Sequence, residues 1–267
     1  MIKLGFSKLY GAALLAGAVL ASSAFSQESA LSIMEKNRDT DVSKTSSSTA
    51  VMTLTNKKGG VRVREVVSFK KKFSDVTKTV IVFRTPKDVA GVGYLMWEYE
   101  ESGGVKKDSD NWLYMPAMKK VRRISGSESG GDFMGTDFTY DDMGDRALSK
   151  DDFILLGEEN IDGESCWKIE CNSKSMTEKD PRRIVWVRKD NYLMQKAEFY
   201  DKQNKLHRQF TASDIKQIDG IWTTCTMKME NVQTGHFTVI ETKDVMYNQS
   251  VNDSVFTVSA LERGAVK

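Results

Sequence analysis

Alternating apolar and polar positions run through most of the chain beyond residue 45. Val61, Val63, Val67 and Phe69 alternate with basic and hydroxyl-bearing residues, a pattern typical of a half-buried strand. Asp-Gly pairs at residues 162–163 and 219–220 suit tight hairpin turns. The predicted strands are residues 46–55, 61–69, 76–83, 94–99, 112–115, 184–188, 194–200, 206–214, 222–229 and 237–247, with a further hairpin around residues 162–163. The pattern therefore predicts about ten strands in one meander.

Helical spacing is confined to a short stretch near the start of the predicted domain. Ala30, Ile33 and Met34 fall on one face, and Ser29 is a suitable N-cap. This spacing predicts a helix over residues 29–38, whose short apolar stripe must lie against something larger. Residues 150–156 fit either a short helix or an extended link.

The stretch from residue 112 to residue 143 breaks the strand pattern. A short aromatic strand stops at Pro116, a cationic run of Lys and Arg occupies residues 119–123, and a flexible connector, SGSESGG, follows. Apolar and acidic residues then alternate over residues 132–142. Long loops of this kind are usually lids, binding loops or disordered. We interpret the stretch as a lid over an apolar hollow; a surface loop that tucks its aromatics into an ordinary core fits the spacing equally well.

The first residues have the pattern of an export signal. Lys3 and Lys8 precede an apolar run over residues 12–21, and Ala24 and Ser26 are placed for cleavage before Gln27. The run is shorter than the roughly 20 residues that span a bilayer. We therefore predict a signal peptide over residues 1–26, a single domain over residues 27–267 and a soluble, exported product; an uncleaved N-terminal anchor is the alternative.

Charge and cysteine content narrow the function classes. The chain has 39 Lys and Arg and 37 Asp and Glu; without Lys3 and Lys8 the balance is 37 to 37. Nucleic-acid binders carry a strong basic excess, so no nucleic-acid partner is predicted. Cys166 and Cys171 lie five residues apart on a predicted strand and point to opposite faces. A bridge from either to Cys225 and three buried free thiols both remain open.

Catalytic and metal-binding motifs are scarce in the sequence. Neither His207 nor His236 has a Cys, Ser or carboxylate motif nearby, and no phosphate-cradling glycine loop is present. Asp141 and Asp142 are adjacent, so their side chains diverge. The acids of residues 132–145 lack EF-hand spacing, and capping or contact with the cationic run explains them better than calcium does. The sequence predicts no catalytic residues, metal or cofactor.

Several segments together resemble a known family. They are WLYMPAMKKVRRI at residues 112–124, DFMGTDFTYDDM at 132–143, GEENIDGESCW at 157–167, VWVRKDNYLMQKAEFYDKQNKL at 185–206 and VFTVSALERG at 255–264. The chain resembles the LolA-like outer-membrane lipoprotein-sorting proteins, in the divergent branch associated with export transporters. The resemblance implies a mainly β fold, with a single antiparallel sheet curled into an incomplete, open β-barrel and a few helices covering its concave face.

The resemblance also implies a function. It suggests a periplasmic carrier that takes lipid or lipoprotein acyl chains toward the outer membrane, with an inner-membrane export transporter and an outer-membrane acceptor as candidate partners. An exposed acyl chain costs about 0.8 kcal/mol per CH₂ in water, so a soluble carrier must enclose it. The predicted ligand-binding residues are Leu95, Trp97, Leu113, Met115, Cys225 and Met227 on the sheet and Phe133, Met134, Phe138 and Tyr140 on the lid.

Two other functions remain open at this stage. One is a non-enzymatic envelope interaction protein, such as an adhesin or sensor, which full exposure of the lid aromatics with no interior hollow would favour. The other is a hydrolase acting on a lipid or envelope polymer, which a polar cleft with converging His or paired acids would favour.

Overall fold

A computed structural model describes residues 28–100, 106–175 and 177–264 of the chain. Helix α1 spans Ala30–Arg38 and α2 spans Val258–Glu262, while short 3-10 helices lie at Pro116–Met118, Phe133–Gly135, Asp141–Met143, Leu148–Lys150 and Asp253–Phe256. The strands are β1 Thr45–Thr55, β2 Val61–Lys72, β3 Val76–Thr85, β4 Gly93–Tyr99, β5 Asp110–Met115, β6 Lys120–Ile124, β7 Asp151–Ile161, β8 Glu164–Ser173, β9 Arg182–Arg188, β10 Met194–Tyr200, β11 Leu206–Ile218, β12 Ile221–Asn231 and β13 His236–Tyr247.

All these strands belong to one antiparallel sheet. Its order is β6-β5-β4-β3-β2-β1-β13-β12-β11-β10-β9-β8-β7, so two meanders meet where β1 pairs with β13. The sheet is curled but open, with β6 and β7 as its two edges, which confirms the predicted fold class. An edge strand leaves a row of backbone groups without a sheet partner, and β6 limits that exposure by being only five residues long.

The count of strands exceeds the predicted one, mainly at the edges. Residues 120–124 were expected to belong to a lid, yet they pair with β5 as β6. Pro116 begins a 3-10 turn, and Lys119 ends it in the left-handed region at φ 49°, which reverses the chain into the hairpin. Residues 150–156, predicted as a short helix or a link, form a single-turn 3-10 helix up to Lys150 and then the start of β7.

The sheet buries apolar side chains on both faces. We call the face beneath α1 and residues 125–150 the inner face. It is lined on β1 to β5, β12 and β13 by a cluster that includes Met52, Leu54, Phe83, Tyr94 and Met229. A second cluster on β8 to β10 packs against Ala30, Ile33 and Met34 of α1. Phe199 and Phe210 contact both clusters, so the apolar surface is continuous.

The opposite, outer face is covered near β3 to β6 by the C-terminal residues. Phe256 and Leu261 pack on Val80, Val82 and Leu95. The Trp97 indole nitrogen donates to the Phe256 carbonyl at 3.3 Å. Gly93 is required here, because a Cβ at this position would lie 2.5 Å from Leu261 Cδ1. Helix α2 thus lies on the side opposite to α1.

The three cysteines are buried and free. Cys166 packs with Ile184 and Trp186, whereas Cys171 packs in the cluster beneath α1, so the two thiols lie on opposite faces as predicted. The predicted signal peptide lies outside the described residues. Among the described residues, no helix combines the length and the hydrophobicity that a membrane span requires.

Candidate functional site

Residues 125–150 connect the two edges of the sheet, and we call them the crossing segment. They leave β6 after Ile124 and enter β7 at Asp151. β6 and β7 are the two edges of the thirteen-stranded sheet, so the segment joins one edge to the other. It traverses the inner face, where its aromatic side chains join the apolar cluster.

The aromatic side chains of the crossing segment are buried against the sheet. Phe133 is 0% exposed and Phe138 is 3% exposed. The Phe133 ring lies 5.2 Å from the ring of Tyr94, 6.0 Å from that of Phe83 and 5.5 Å from that of Tyr140. The pairs with Tyr94 and Tyr140 are edge-on, and such an arrangement adds favourable electrostatics to the burial. The rings occupy the hollow in which the sequence predicts that acyl chains bind.

The tip of the crossing segment is a tight turn held by backbone contacts. The Asp132–Thr139 bridge closes a small loop, inside which the Thr136 hydroxyl donates to the Phe133 carbonyl at 2.7 Å. Met134 has φ 51°, an unfavourable conformation for a side chain of its size. The Arg64 guanidinium of β2 donates to the Met134 carbonyl, which fixes this turn over the sheet.

Asp137 attaches the middle of the crossing segment to β13. Its carboxylate accepts a hydrogen bond from the Thr238 hydroxyl at 2.7 Å and lies 2.6 Å from His236 Nδ1. The Asp137 N–H donates back to the Thr238 hydroxyl oxygen at 3.1 Å. Thr238 is fully buried and the Asp137 side chain is 6% exposed, so the polar groups of these two residues are removed from water and satisfy each other.

Arg208 of β11 makes the second attachment. Its guanidinium donates to the Asp137 carbonyl at 3.1 Å and to the Asp142 carboxylate at 2.5 Å, both in the crossing segment. It also pairs with Asp180, which lies 2.6 Å from His207 Nδ1. Burial opposes the charge of Arg208, but Asp142 and Asp180 raise its pKa above the ordinary value. The arginine therefore stays charged and connects β11 to the Asp180 carboxylate and, in the crossing segment, to the Asp142 carboxylate and the Asp137 carbonyl.

The C-terminal part of the crossing segment is held by Glu98 of β4. Its Oε1 atom accepts the Asp145 N–H at 2.6 Å, and the side chain is only 7% exposed. Burial and the neighbouring Asp145 charge raise the pKa of Glu98 to about 7, against the opposing effect of Lys70. Gly144 allows the close approach, because a Cβ there would lie 2.7 Å from Glu98 Oε1.

Glu98→Gln should stabilise the protein near pH 8 and have little effect near pH 5. The folded pKa of about 7 exceeds the ordinary 4.5, so the native state holds this proton more tightly and loses stability as the pH rises between these values. The loss is on the order of 3 kcal/mol at about pH 8. A neutral amide avoids it while keeping an acceptor for Asp145. Thermal melts across this pH range check the prediction, and a variant curve parallel to the parent's would contradict it.

The structure divides the predicted ligand-binding residues between two faces. The inner face holds Leu113, Met115, Phe133, Met134, Phe138, Tyr140 and Met227. Cys225 lies on the same side of β12 as Met227, towards the far end of the strand. Leu95 and Trp97 lie on the outer face against Phe256 and Leu261. The prediction that all six sheet residues share one face is wrong for Leu95 and Trp97. The register of the β4–β5 pair places Tyr94, not Leu95, opposite Leu113.

Two of the surface pockets have none of the buried aromatic rings in their lining. The larger, about 490 Å³, is lined by Lys107, Asp110, Arg123 and neighbouring polar groups. The smaller, about 250 Å³, is lined by Cys225, Lys216, Glu241 and residues around them. Of the predicted ligand-binding residues, Cys225 alone lines either of these two. The apolar inner face is filled by the crossing segment instead.

The polar attachments are the part of the site that sequence spacing does not reveal. His236 and Asp137 are 99 residues apart, and His207 and Asp180 are 27 apart, so each His–Asp pair is created by the fold. The expectation that neither histidine has a carboxylate partner is corrected. Alternation of Asp with aromatics over residues 132–142 was the available signal that the segment carries both its apolar and its polar contacts. Within the described residues, no group of three or more His, Cys, Asp or Glu is arranged to hold a metal ion.

Comparisons with known proteins give the relationships of the chain. A family model described as "Uncharacterized protein" matches residues 75–263. No curated protein matches the chain significantly. The crystal structure of a DUF1329 family protein from Desulfovibrio piger ATCC 29098 is 35% identical, with 87% of this chain and 97% of that chain covered and a TM-score of 0.80.

Two further crystal structures share the fold. A domain named for outer membrane lipoprotein sorting, from Vibrio parahaemolyticus, is 29% identical over 88% of this chain and 98% of its own, with a TM-score of 0.79. The LolA superfamily protein NE2245 from Nitrosomonas europaea is 19% identical over 87% and 99%, with a TM-score of 0.66. The chain therefore shares its fold with both of these proteins, and it belongs to the DUF1329 family.

Proposed function

We propose that this protein is a non-enzymatic periplasmic carrier that binds lipid or lipoprotein acyl chains on its inner face and shuttles them toward the outer membrane. One observation carries the proposal. The crossing segment, which joins the two edge strands β6 and β7, places Phe133, Phe138 and Tyr140 over an apolar surface. We infer that these rings occupy the acyl-chain site in the unloaded protein and leave it when cargo enters.

Magnitudes favour such an exchange. Burying one aromatic side chain stabilises by about 1.5–3 kcal/mol, so the three rings contribute roughly 5–9 kcal/mol. A chain of about sixteen carbons gains about 12 kcal/mol on leaving water. Cargo therefore displaces the rings when it comes from water, while transfer from a bilayer is nearly balanced because the chain is already in an apolar medium. The returning segment then promotes release at the acceptor.

The attachments of the crossing segment suit a cover that opens as a unit. Asp137 is bound by residues of β11 and β13 and Asp142 by Arg208 of β11, and these acids can be hydrated when the segment lifts. Seven methionines border the rings on the inner face or the segment: Met52, Met96, Met115, Met134, Met143, Met227 and Met229. Thioether side chains adapt to different shapes, which fits cargo whose chains vary.

The rival functions gain no specific support from the site. An adhesin or sensor would have the segment's aromatics exposed over a sheet without a hollow, whereas Phe133 and Phe138 are buried. A hydrolase would need a polar cleft on which a histidine or paired acids converge. The two His–Asp pairs line neither of the pockets described above: Asp137 and His236 attach the crossing segment to β13, and Asp180 and His207 lie beside the buried Arg208. We also propose two partners for the carrier: an inner-membrane export transporter that supplies the cargo and an outer-membrane acceptor that receives it.

A photoactivatable fatty acid tests the proposal. The protein is incubated with a palmitate analogue carrying a terminal diazirine, irradiated and digested, and the labelled peptides are identified by mass spectrometry. We expect labels on inner-face residues such as Met115, Met134 and Met227, and labelling should fall when unlabelled palmitate competes. Labels concentrated around Trp97 on the outer face, or no competed labelling, would refute the proposed site.

A further inference from the structure

Five of the turns at one end of the sheet lie side by side. They are residues 56–60, 86–92, 116–119, 201–205 and 231–236, and together with the adjoining strand ends we call them the turn rim. Lys57 packs beside Gly235, where an added Cβ would lie 3.4 Å from its side chain. Gln233 donates to Asp201 at 2.8 Å, which joins the next two turns. A Cβ on Gly91 would lie 3.2 Å from Pro116, which joins two more.

Cations without partners are concentrated on this rim. Most described Lys and Arg side chains form an ion pair, a side-chain hydrogen bond or a ring contact. Among the described residues, those that do not are Lys44, Lys57, Lys58, Arg62, Arg84, Lys87, Lys119, Lys120, Lys202, Lys205 and Lys243. Nine of these eleven, all but Lys44 and Lys243, lie on the turn rim, and all nine are exposed.

The charge of the rim contrasts with the balance of the whole chain. Without Lys3 and Lys8 the chain has 37 basic and 37 acidic side chains. An excess of basic side chains on the turn rim therefore leaves the rest of the protein with an excess of acidic ones. The exposed acids within the same turns and strand ends are Glu65 and Asp88. Such a distribution orients the molecule in the field of an anionic surface.

Exposed aliphatic side chains lie among these cations. Met118 is 53% exposed, Val61 56%, Val63 48% and Val232 36%. They occupy several separate turns rather than one groove, so a rigid protein partner would have to match many protruding points. A fluid bilayer surface can accommodate all of them, with aliphatics entering the headgroup layer and lysines contacting lipid phosphates.

We propose that the turn rim is a docking surface for anionic phospholipid bilayers. Arg64, which holds the tip of the crossing segment through the Met134 carbonyl, lies on β2 between the exposed Val63 and Glu65 of the rim. Docking therefore places the segment tip near the lipid surface. Docking depends on the unpaired charges and the exposed aliphatic side chains of the rim, and it does not require acyl-chain carriage.

Vesicle flotation tests the docking surface. The chain from Gln27 is used, since the described fold begins at Glu28. Binding is measured to vesicles of equal parts phosphatidylglycerol and phosphatidylcholine and to pure phosphatidylcholine. We expect binding to the anionic vesicles that falls as salt rises from about 0.1 to 0.5 M, because salt screens surface charges. Equal binding to both vesicle types, or none to the anionic ones, would overturn the proposal.

A matched pair of variants locates the surface. Lys58→Glu with Lys120→Glu should lower anionic-vesicle partitioning by at least about 30-fold, from two lost contacts with the lipid surface. Lys44→Glu with Lys243→Glu makes the same change of net charge away from the rim and should lower it by less than about threefold. Equal losses would show an effect of net charge alone. Loss of palmitate labelling with vesicle binding intact would instead count against the carrier proposal.

A fluorescent label reports the orientation directly. The native cysteines are buried, so an environment-sensitive dye attaches to Met118→Cys on the rim or to Leu31→Cys on α1, which is similarly exposed at 47%. Anionic vesicles should shift the emission of the Met118→Cys label to the blue and leave the Leu31→Cys label unchanged. A shift at Leu31→Cys alone would place the lipid contact elsewhere and overturn the proposal.

Discussion

Arg208→Ala should lower the free energy of unfolding by about 3–5 kcal/mol and free the crossing segment from the sheet. Arg208 is 4% exposed and pairs with Asp142 at 2.5 Å and Asp180 at 2.8 Å. Its removal leaves buried carboxylates without the cation that offsets their desolvation, and the Asp137 carbonyl loses its donor. Chemical denaturation measures the loss, and hydrogen exchange over residues 133–143 should increase.

Arg182→Ala is the matched control. Arg182 also pairs with a carboxylate, Glu170 at 2.7 Å, but its side chain is partly exposed and does not contact the crossing segment. Partly exposed pairs contribute little, so we expect a loss below about 1 kcal/mol and unchanged exchange over residues 133–143. Similar losses in the two variants would contradict the role assigned to Arg208 as an attachment.

Local patterns predicted most of the sheet because strand alternation reports which residues are half-buried. β2 shows how far this goes: Val66 lies on the inner face and Val67 on the outer, as alternation requires. The same reasoning failed at β6. Its three basic residues leave only Val121 and Ile124 as apolar positions, so the run looked like a solvated loop although it pairs with β5.

The site depended on relations that local patterns do not contain. Whether Leu95 or Tyr94 faces Leu113 is decided by the register of the β4–β5 hairpin, and a shift of one residue exchanges the two faces. The path of the crossing segment follows from which strands become edges, and that depends on β1 pairing with β13 almost two hundred residues later. The aromatic residues of the segment were recognisable as exceptional, but whether they covered a hollow or filled it was not.

The attachments divide the segment into an apolar part and a polar frame. Phe133 and Phe138 provide burial energy, whereas Asp137, Asp142 and the Asp145 N–H fix the position through Thr238, Arg208 and Glu98. Polar pairs contribute modest net stability because water competes for the same groups. The frame therefore sets where the segment rests, and the rings set how strongly it competes with another apolar group.

Phe133→Ala should strengthen acyl-chain binding while weakening the fold. Truncating a fully buried Phe costs about 3–5 kcal/mol, and here the loss falls on the state in which the crossing segment covers the inner face. If the segment must lift before cargo binds, a cover weaker by about 3 kcal/mol raises the apparent affinity for palmitate by about 100-fold. Fluorescence titration with a dansyl-labelled fatty acid and urea denaturation measure the two effects.

Phe256→Ala separates the competition from general destabilisation. Phe256 is also 0% exposed, but it packs on the outer face against Val80 and Leu95. We expect a comparable loss of stability, since the same side chain is truncated in an equally buried place. Fatty-acid affinity should stay within about twofold of the parent, because the inner face and its cover are untouched. Tighter binding in both variants would show that loosening the fold is sufficient, and weaker binding in Phe133→Ala would show that the ring contacts cargo instead of competing with it.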